Sequence, residues 1–336
     1  MLILLLAAAP LVARDALYLG EARAESASPS ARAPLLLALN QVLVRLTGLS
    51  GQDLVGEASV DEATAAGMAL GRQFRQVEML RSDGVPRSER RLQVEFDPVA
   101  VDQLIDQQGW PRWSGVRPVL LLWVAEERDQ GAAYLEDAPW LQALIDESAR
   151  RYGLALVRPI LDGLDRAEVR PVDIRGGFTA TSAAARNRYA ADGVVMLDLR
   201  QRAGLVDARW AWQLGPREQS LNVSGAGAAE VIDLGLARIA ADLVQRFAVS
   251  GQQRSYRQRL VVAGIDSPAH YLEVRRFLDT LDGIDALRLA AADGDTVEFE
   301  LETRGDSLRR RLELSGPLAF ERRDLRGGQL HYRFRP

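Results

Sequence analysis

The chain has 336 residues, of which 47% are hydrophobic and 26% are charged, an ordinary balance for a globular protein. This length exceeds the usual range of a single compact core and predicts two or three domains. The formal net charge of −4 excludes a strongly basic nucleic-acid-binding protein. All 42 basic residues are arginine and are spread along the chain, which indicates a GC-rich codon bias more than guanidinium groups selected for anion binding.

An uninterrupted apolar run occupies residues 1–13, and the chain contains no cysteine. The run is shorter than the roughly 20 apolar residues that cross a bilayer, and it ends in small residues as secretory signals do. We expect residues 1–13 to be a signal peptide, the alternative being a buried first strand. Without cysteine, no lipid-modified cysteine or disulfide can form. We therefore expect a soluble, periplasmic mature protein with no transmembrane segment and no lipid anchor.

Residues 14–109 are predicted to form an N-terminal αβ domain with a hairpin. Apolar residues recur at helical spacing in the first long helix, and alternating runs on either side of turn residues indicate the hairpin. The predicted elements are a strand at 16–19, a helix after Ser28-Pro29-Ser30 that ends at Gly48, a helix at 61–70, two strands at 74–79 and 92–96 joined by a turn at 82–86, and a helix at 98–108.

Residues 110–118 are predicted to be a linker, because two prolines and a glycine interrupt any apolar period. Trp110 and Trp113 lie in this segment. Two interpretations are open for them: they are exposed aromatic anchors for a protein partner, or they pack one domain against the next. The second is the more common role of such residues.

Residues 119–250 are predicted to form a three-layer α/β domain with a mixed sheet. Continuous apolar runs are typical of strands buried on both faces, and alternating runs are typical of antiparallel strands. The predicted elements are strands at 119–124, 154–160, 194–197, 205–214 and 218–223, with helices around 141–149 and at 179–191 and 228–247.

Residues 251–336 are predicted to form a ferredoxin-like domain. Strand and helix patterns follow each other in the order β-α-β-β-α-β, and one extra strand ends at Phe334. Ser267 is a favourable N-cap and Pro268 a favourable first helical residue. Asp293-Gly294-Asp295 indicates a hairpin turn. The fold class predicted for the whole chain is therefore mixed α/β, in three small domains.

The order of three sequence blocks resembles a known family. The blocks are LNQVLVRLTG at 39–48, RPVLLLWV at 117–124, and RYAADGVV at 188–195 together with ARWAWQL at 208–214. They are similar to a proteobacterial envelope family known as domain of unknown function 2066, except that Ala190 stands where that family usually has glycine. The resemblance implies a periplasmic setting and no established catalytic residue.

The usual signatures of catalysis are absent from the sequence. With no cysteine and only two histidines, His270 and His331, the usual zinc ligands are missing, and both histidines are interpreted as surface or packing residues. No nucleophile elbow is present. In Gly225-Ala226-Gly227 the third glycine of a dinucleotide-binding loop is replaced by Glu230, whose carboxylate would repel a pyrophosphate. We expect no cofactor, no metal and no nucleic-acid partner.

Carboxylates in the loops of the central domain are the one remaining candidate for chemistry. Asp162, Asp165 and Asp173 can border the central sheet, and Gly176 follows them. Paired carboxylates can hydrolyse glycosidic bonds, although loop carboxylates are more often solvated turn residues. Asp162, Asp173 and Gly176 therefore define the alternative ligand site.

The C-terminal domain has an uneven charge distribution. Eight acidic residues and only Arg288 lie between Asp279 and Glu302, whereas nine arginines and four acidic residues follow between Arg304 and Arg335. The basic stretch includes Arg309, Arg310 and Arg311. It either meets an anionic surface or partner, or pairs with the acids of the neighbouring strands. The second interpretation is favoured.

Two functions from different classes follow. The first is a non-enzymatic accessory or scaffold protein of the bacterial envelope that acts through protein–protein contacts, with Trp110, Trp113 and the Arg309–Arg311 run as candidate contacts and an envelope protein as partner. The alternative is a binder or weak hydrolase of a small or polymeric envelope ligand, using the central-domain loops at Asp162, Asp173 and Gly176.

Overall fold

The computed structural model describes residues 14–24, 33–80, 86–113, 115–128, 131–136, 138–202, 204–250, 255–305, 308–314, 316–324 and 328–335. The predicted signal peptide at 1–13, the helix-start residues Ser28-Pro29-Ser30 and most of the turn at 82–86 lie outside the described residues. Within the described part, helices combine with antiparallel and mixed sheets, so the predicted mixed α/β class is confirmed.

The N-terminal part of the chain forms a three-stranded antiparallel sheet with helices. Its elements are α1 (Arg14–Leu17), β1 (Leu19–Arg23), α2 (Pro34–Thr47), α3 (Leu54–Glu57), α4 (Glu62–Gly67), β2 (Ala69–Leu80), β3 (Pro86–Phe96) and α5 (Pro98–Gln108). The strand order is β1-β3-β2, and β2 and β3 form the predicted hairpin. The strand expected at 16–19 is misplaced, because residues up to Leu17 complete a helical turn and β1 begins at Leu19.

The apolar period of α2 determines which face it buries. Leu39, Val42 and Leu46 are fully buried, since residues three and four apart lie on one face of a helix. Pro34 occupies the first turn, where a missing N–H costs no helical hydrogen bond. Gly48 has a φ of 67° and caps the helix in the left-handed conformation, so α2 ends at the predicted glycine.

A mixed sheet forms the centre of the chain. The elements that follow α5 are β4 (Pro111–Arg112), β5 (Val119–Arg128), β6 (Gly131–Tyr134), α6 (Pro139–Tyr152), β7 (Ala155–Val157), α7 (Gly163–Glu168), α8 (Pro171–Gly176), a 3₁₀ turn (Thr179–Ser182), α9 (Ala183–Arg188), β8 (Gly193–Arg202), β9 (Leu205–Leu214), β10 (Arg217–Gly225) and α10 (Ala228–Phe247). The order is β10-β9-β8-β5-β6, and β7 also pairs with β5. Strand β5 is parallel to β7 and β8 and antiparallel to β6.

Strand β5 is covered on both faces. Leu121 and Trp123 belong to a buried cluster that includes Ile174 of α8. Leu122 lies between them in sequence and shares a pocket lining with Ile145 of α6. Because successive residues of a strand point to opposite faces, the central sheet has helices on both sides and forms the predicted three layers.

Two predicted elements of the central segment are shorter than expected. The strand expected at 154–160 covers only Ala155–Val157, since Arg158 turns to an ion pair and Pro159 provides no N–H for a ladder. The helix expected at 179–191 is divided into the 3₁₀ turn and α9.

The C-terminal part forms a five-stranded sheet. Its elements are β11 (Val249–Ser250), β12 (Ser255–Ala263), α11 (Pro268–Asp279), β13 (Ile284–Asp293), β14 (Thr296–Arg304), α12 (Leu308–Leu312), β15 (Leu318–Arg323) and β16 (Leu330–Phe334). The strand order is β13-β14-β12-β16-β15, while β11 pairs separately with β4. The predicted element order with one extra strand is present. In a simple ferredoxin-like sheet β15 would pair with β12; here the extra strand β16 pairs with β12 in parallel and β15 lies outside it.

Helix α11 begins as predicted. The Ser267 side-chain oxygen accepts a hydrogen bond from the His270 N–H at 3.3 Å, and Pro268 is the first helical residue. Val274 and Leu278 on its inner face belong to the buried cluster of the five-stranded sheet. The cap and the apolar period together specify this element.

Tertiary contacts divide the chain into two compact units. The first unit comprises residues 1–101 and 117–242, and the second comprises residues 102–116 and 243–336. The predicted linker residues 111 and 112 form β4, which pairs with β11 inside the second unit. The division into three domains at 109, 118 and 250 stays a prediction.

Candidate functional site

A pocket opens at the carboxyl end of β7 in the central sheet. Its volume is about 300 Å³. Open α/β sheets commonly bind ligands at the carboxyl ends of their parallel strands, where the loops leave the sheet. The lining residues come from β5, the segment after β6, α6, the segment after β7, and α7: Leu122, Val124, Leu135, Glu136, Gln142, Ile145, Arg158, Pro159, Ile160, Leu161 and Arg166.

Two arginines place positive charge in this pocket. The Arg158 Nη2 donates to Asp146 Oδ1 at 2.5 Å, and the Arg166 Nη2 donates to Glu136 Oε1 at 2.8 Å. Arg158 has a second nitrogen, Nε, which is buried and has no hydrogen-bond partner among the described residues. A buried donor without an acceptor costs about 1–3 kcal/mol. This nitrogen has essentially no exposed surface, so the cost belongs to the folded chain itself.

Exposed apolar side chains lie beside the two arginines. Ile160 lines the pocket and is 75% exposed, and Leu164 in the first turn of α7 is 67% exposed. Leu122 and Ile145 form a buried apolar part of the lining. Ile160 is therefore an exposed apolar contact within the pocket lining, and Leu164 is a second exposed apolar residue four positions further along the chain.

Buried hydrogen bonds hold the loop between β7 and α7. Asp165 is fully buried and accepts hydrogen bonds from the Leu161 N–H at 2.9 Å, from the Tyr189 hydroxyl at 2.7 Å and from Arg188. The Tyr189 hydroxyl also accepts from the Ile160 N–H at 2.9 Å. Burial raises the pKa of Tyr189 and keeps its hydroxyl protonated. The backbone on both sides of Ile160 is therefore fixed, and the pocket is preformed.

The predicted alternative ligand residues have structural roles next to this pocket. Asp162 is the N-cap of α7 and accepts a hydrogen bond from the Asp165 N–H at 2.9 Å. Asp173 bonds the side chain and the N–H of Arg170 at the start of α8, and Gly176 is the last residue of α8. The bonds lower the pKa of both carboxyl groups, chiefly through the Asp165 N–H for Asp162 and the Arg170 side chain for Asp173. None of the three residues lines this pocket, and the alternative ligand site at Asp162, Asp173 and Gly176 stays a prediction.

The two linker tryptophans have different exposures. Trp113 is 1% exposed, its ring stacks on Phe247 with 5.9 Å between centroids, and its Nε1 donates to the Val116 carbonyl at 3.3 Å. Trp110 is half-buried. Trp113 packs inside the second unit and is therefore not available as an exposed aromatic anchor for a partner.

Helix α12 orients its three consecutive arginines differently. Arg309 is exposed, pairs with Glu313 at 2.8 Å and lies 4.2 Å from the centroid of the Phe320 ring. Arg310 is also exposed. Arg311 is 3% exposed and donates to a main-chain carbonyl. Because a helix turns once in 3.6 residues, one of three consecutive side chains faces the core, and the expected basic surface does not include Arg311.

Ion pairs join acidic and basic residues of the C-terminal sheet. Both members of each pair lie on or beside neighbouring strands, and the pair Arg304–Asp285 joins the basic stretch to the acidic one. The pairs are Arg259–Glu298 at 3.2 Å, Arg304–Asp285 at 2.8 Å and Arg333–Glu321 at 2.7 Å.

The remaining candidate residues have local partners. The His270 Nδ1 lies 2.7 Å from Asp266, and His331 is half-buried on β16. The Glu230 carboxylate accepts the Ala226 N–H at 2.9 Å, in the place where a phosphate loop would hold its anion. In the described ranges, no group of three or more His, Cys, Asp or Glu side chains could hold a metal ion. Of the helices described, none is both long enough and apolar enough to cross a membrane.

Sequence reasoning missed Arg158 and Arg166. The available signal was a charged residue directly after a buried strand, followed by Pro159 and an apolar residue. Polar residues at the carboxyl end of a parallel strand are candidates for a site. Extending the predicted strand to Ile160 hid that signal, since it placed Arg158 inside the ladder.

Comparison with known proteins gives a partial family match. Residues 12–114 match the family described as Domain of unknown function (DUF8605). No curated protein matches the chain. A solved structure described as "Crystal structure of uncharacterized protein" is similar at 10% identity, covering 38% of this chain and 90% of that chain, with a TM-score of 0.17. A segment of this chain is thus similar to a domain of unknown function.

Proposed function

We propose that the protein is a non-enzymatic accessory or scaffold protein that binds a segment of a protein partner in the pocket at the carboxyl end of β7. The observation that carries this proposal is the preformed pocket itself, whose lining combines the charged Arg158 and Arg166 with the exposed Ile160. The alternative from the sequence, a binder or weak hydrolase of an envelope ligand, uses the central-domain loops at Asp162, Asp173 and Gly176, which lie outside this pocket lining.

The charge of the pocket favours a peptide over a strongly anionic ligand. Arg158 and Arg166 already have the carboxylates of Asp146 and Glu136 as partners, so little positive charge is left for a phosphate or sulfate. A neutral peptide segment suits such a lining, since one of its apolar side chains can cover Ile160.

Site-specific photocrosslinking in the native host tests this proposal. We place benzoylphenylalanine at Ile160 and, as a control, at Leu234 of α10, which is 48% exposed and outside the pocket lining. We expect one discrete protein adduct at Ile160, none at Leu234, and loss of the adduct when Leu164→Asp is added. Equal adducts at both positions, or none at either, would contradict peptide binding in this pocket.

A second measurement separates the alternative. Native mass spectrometry of the protein purified from its host reports a bound molecule of low mass directly. A retained ligand that is lost in Arg158→Ala, together with no adduct at Ile160, would support the small or polymeric envelope ligand instead. A hydrolytic activity would in addition require a carboxylate pair, and Asp162 and Asp173 are the candidates to replace by Asn.

We also propose an envelope setting for this activity. The apolar run at 1–13, the absence of cysteine and the resemblance to domain of unknown function 2066 support export to the periplasm, and the C-terminal element order supports a relationship to ferredoxin-like domains. Cell fractionation of a C-terminally tagged chain, with N-terminal sequencing of the recovered protein, tests the export. Recovery from the cytoplasm with residues 1–13 intact would contradict it.

A further inference from the structure

Strand β13 leaves an apolar edge on the five-stranded sheet. It is the terminal strand of the order β13-β14-β12-β16-β15 and pairs only with β14 among the described strands. Residues 288–293 are all exposed, and Leu289 is 53% exposed. Four apolar residues occupy positions 289–292. An exposed apolar edge with unpaired N–H and C=O groups is a template for another strand.

The terminal strand β10 of the central sheet makes a useful contrast. Arg217, Glu218, Asn222 and Ser224 are exposed on β10, so polar and charged side chains cover that edge. Such side chains discourage pairing with a further strand. Along β13 the charged residues Arg288 and Asp293 stand only at the two ends of the apolar stretch. The edge of β13 is therefore the more receptive one.

A β-bulge arranges these two charges on the same face. Leu289 lies opposite Phe299 and Ala291 lies opposite Glu298, so Ala290 is an extra residue in β13. One extra residue reverses the alternation beyond it. Arg288 and Asp293 are five positions apart and would otherwise point to opposite faces. With the bulge, both point to the face opposite the buried Phe299.

We propose that β13 pairs antiparallel with β13 of a second copy of this chain. In the register that places Arg288 opposite the second copy's Asp293, a two-fold axis between Ala290 and Ala291 places Asp293 opposite the second copy's Arg288. Two reciprocal ion pairs then flank the apolar residues 289–292, and the paired residues stay on matching faces. Within the described residues neither Arg288 nor Asp293 has an ion pair, and Glu300 beside Arg288 is 4.0 Å from Arg257.

The size of the contact sets its strength. Six residues from each copy bury less area than a standard protein–protein interface, and interfaces of such small area bind weakly. We expect a reversible dimer with a Kd above about 10 µM. Sedimentation equilibrium of the full chain, at concentrations up to about 1 mM, measures this association in the range where it is populated.

Charge reversal tests the register. Arg288→Asp and Asp293→Arg each place like charges across the two-fold axis, and we expect each to raise the Kd at least tenfold. An equimolar mixture of the two variants restores opposite charges at both ends and forms a heterodimer. The double variant Arg288→Asp/Asp293→Arg forms a homodimer. Leu289→Lys tests the same edge without altering the ion pairs and is expected to abolish pairing.

Matched controls alter the same charges elsewhere on this sheet. Arg323→Asp on β15, at the opposite end of the strand order, and Asp295→Arg in the turn after β13 leave the register untouched, so the Kd is expected to change less than twofold. A chain that remains monomeric at the highest concentration overturns the proposal and leaves the edge to a strand of another protein. Failure of the mixed variants to associate, although circular dichroism reports both as folded, also overturns it.

Discussion

Tyr134 in the first unit and Tyr332 in the second are both buried, yet their hydroxyl groups have different surroundings. The Tyr134 hydroxyl donates to the Val169 carbonyl at 2.6 Å. The Tyr332 hydroxyl is buried and has no hydrogen-bond partner in the part of the chain that the structure describes. Its ring contacts the edge of Phe320, with 5.4 Å between centroids. Tyr134 therefore stabilises its core through its ring and one hydrogen bond, whereas Tyr332 stabilises its core through its ring alone.

The difference separates two ways of positioning helices on a sheet. In the first unit, polar groups of buried aromatic residues reach across to helices or turns: Tyr134 bonds the end of α7, and the Trp123 Nε1 donates to the Ser182 hydroxyl at 2.8 Å. In the second unit, Tyr332 lies in an apolar cluster and adds no such bond. Hydrogen bonds are directional, whereas apolar packing is not. The helices on this face of the central sheet should therefore be more sensitive to the loss of single atoms.

The largest expected loss of stability is at Arg45, a charged side chain of the first unit that also forms buried hydrogen bonds to another element. Arg45 is 6% exposed, and its Nη1 donates to the carbonyl groups of Ala16, Leu17 and Leu19 at 3.1, 3.0 and 2.8 Å. Burial lowers the pKa of Arg45 to about 10, so the guanidinium stays charged at neutral pH. Arg45→Met leaves these carbonyls without their donor, and we expect the free energy of unfolding to fall by about 3 kcal/mol.

Urea unfolding and hydrogen exchange at β1 measure this loss. The matched control is Arg23→Met on β1, whose side chain is 63% exposed and pairs with Glu89 at 2.7 Å. An exposed ion pair contributes only about 0–1 kcal/mol. Equal losses in the two variants would show that Arg45 does not hold the α1–β1 segment.

Next in size is Tyr134→Phe, which removes one hydroxyl from the first unit. The Val169 carbonyl loses its donor, so we expect the free energy of unfolding to fall by about 1 kcal/mol. Hydrogen exchange in α7 and α8 should rise more than exchange in α2. Unchanged exchange in α7 would mean that this bond does not position the helix.

Tyr332→Phe makes the same chemical change in the second unit and should have the opposite sign. Removing a buried hydroxyl without a partner ends a desolvation cost, so we expect the free energy of unfolding to rise by up to about 1 kcal/mol. Hydrogen exchange at β12 and β16 measures the effect in this unit alone. If Tyr332→Phe destabilises as much as Tyr134→Phe does, the contrast between the two cores is wrong.

Local signals in the sequence predicted the elements that local interactions determine. The helix Ala228–Phe247 was predicted at its observed bounds from its apolar period, and α11 starts at the predicted Ser267 cap. The mixed α/β class follows from the same patterns. Strand Ala155–Val157 was predicted too long, because an apolar run continues beyond it into the pocket loop at Ile160.

The candidate site depends on contacts between residues far apart in sequence, which periodicity does not report. The sequence groups Asp165 with solvated loop carboxylates. In the structure it is buried and accepts hydrogen bonds from Tyr189 and Arg188, which follow it by more than 20 residues in the chain. Arg158 enters the pocket because α6 brings Asp146 to it. The sequence shows only that a charged residue follows the strand, and it does not show which residue pairs with that charge.

The smallest expected effect is the pH dependence of the capping carboxylates beside the pocket. Native hydrogen bonds lower the pKa of Asp162 and Asp173 below the ordinary value of 3.8, so the native chain binds these protons less tightly than the unfolded chain. Their contribution is complete well above that value and is lost as the pH falls through the lowered native pKa. We expect the free energy of unfolding to fall less steeply between about pH 5 and pH 3 in Asp162→Asn/Asp173→Asn than in the unchanged chain. Solvent screening keeps this difference small. Urea unfolding at a series of pH values across this window measures the free energy of unfolding of both chains. If that free energy changes with pH equally in the two chains, the two caps stabilise α7 and α8 without their charge.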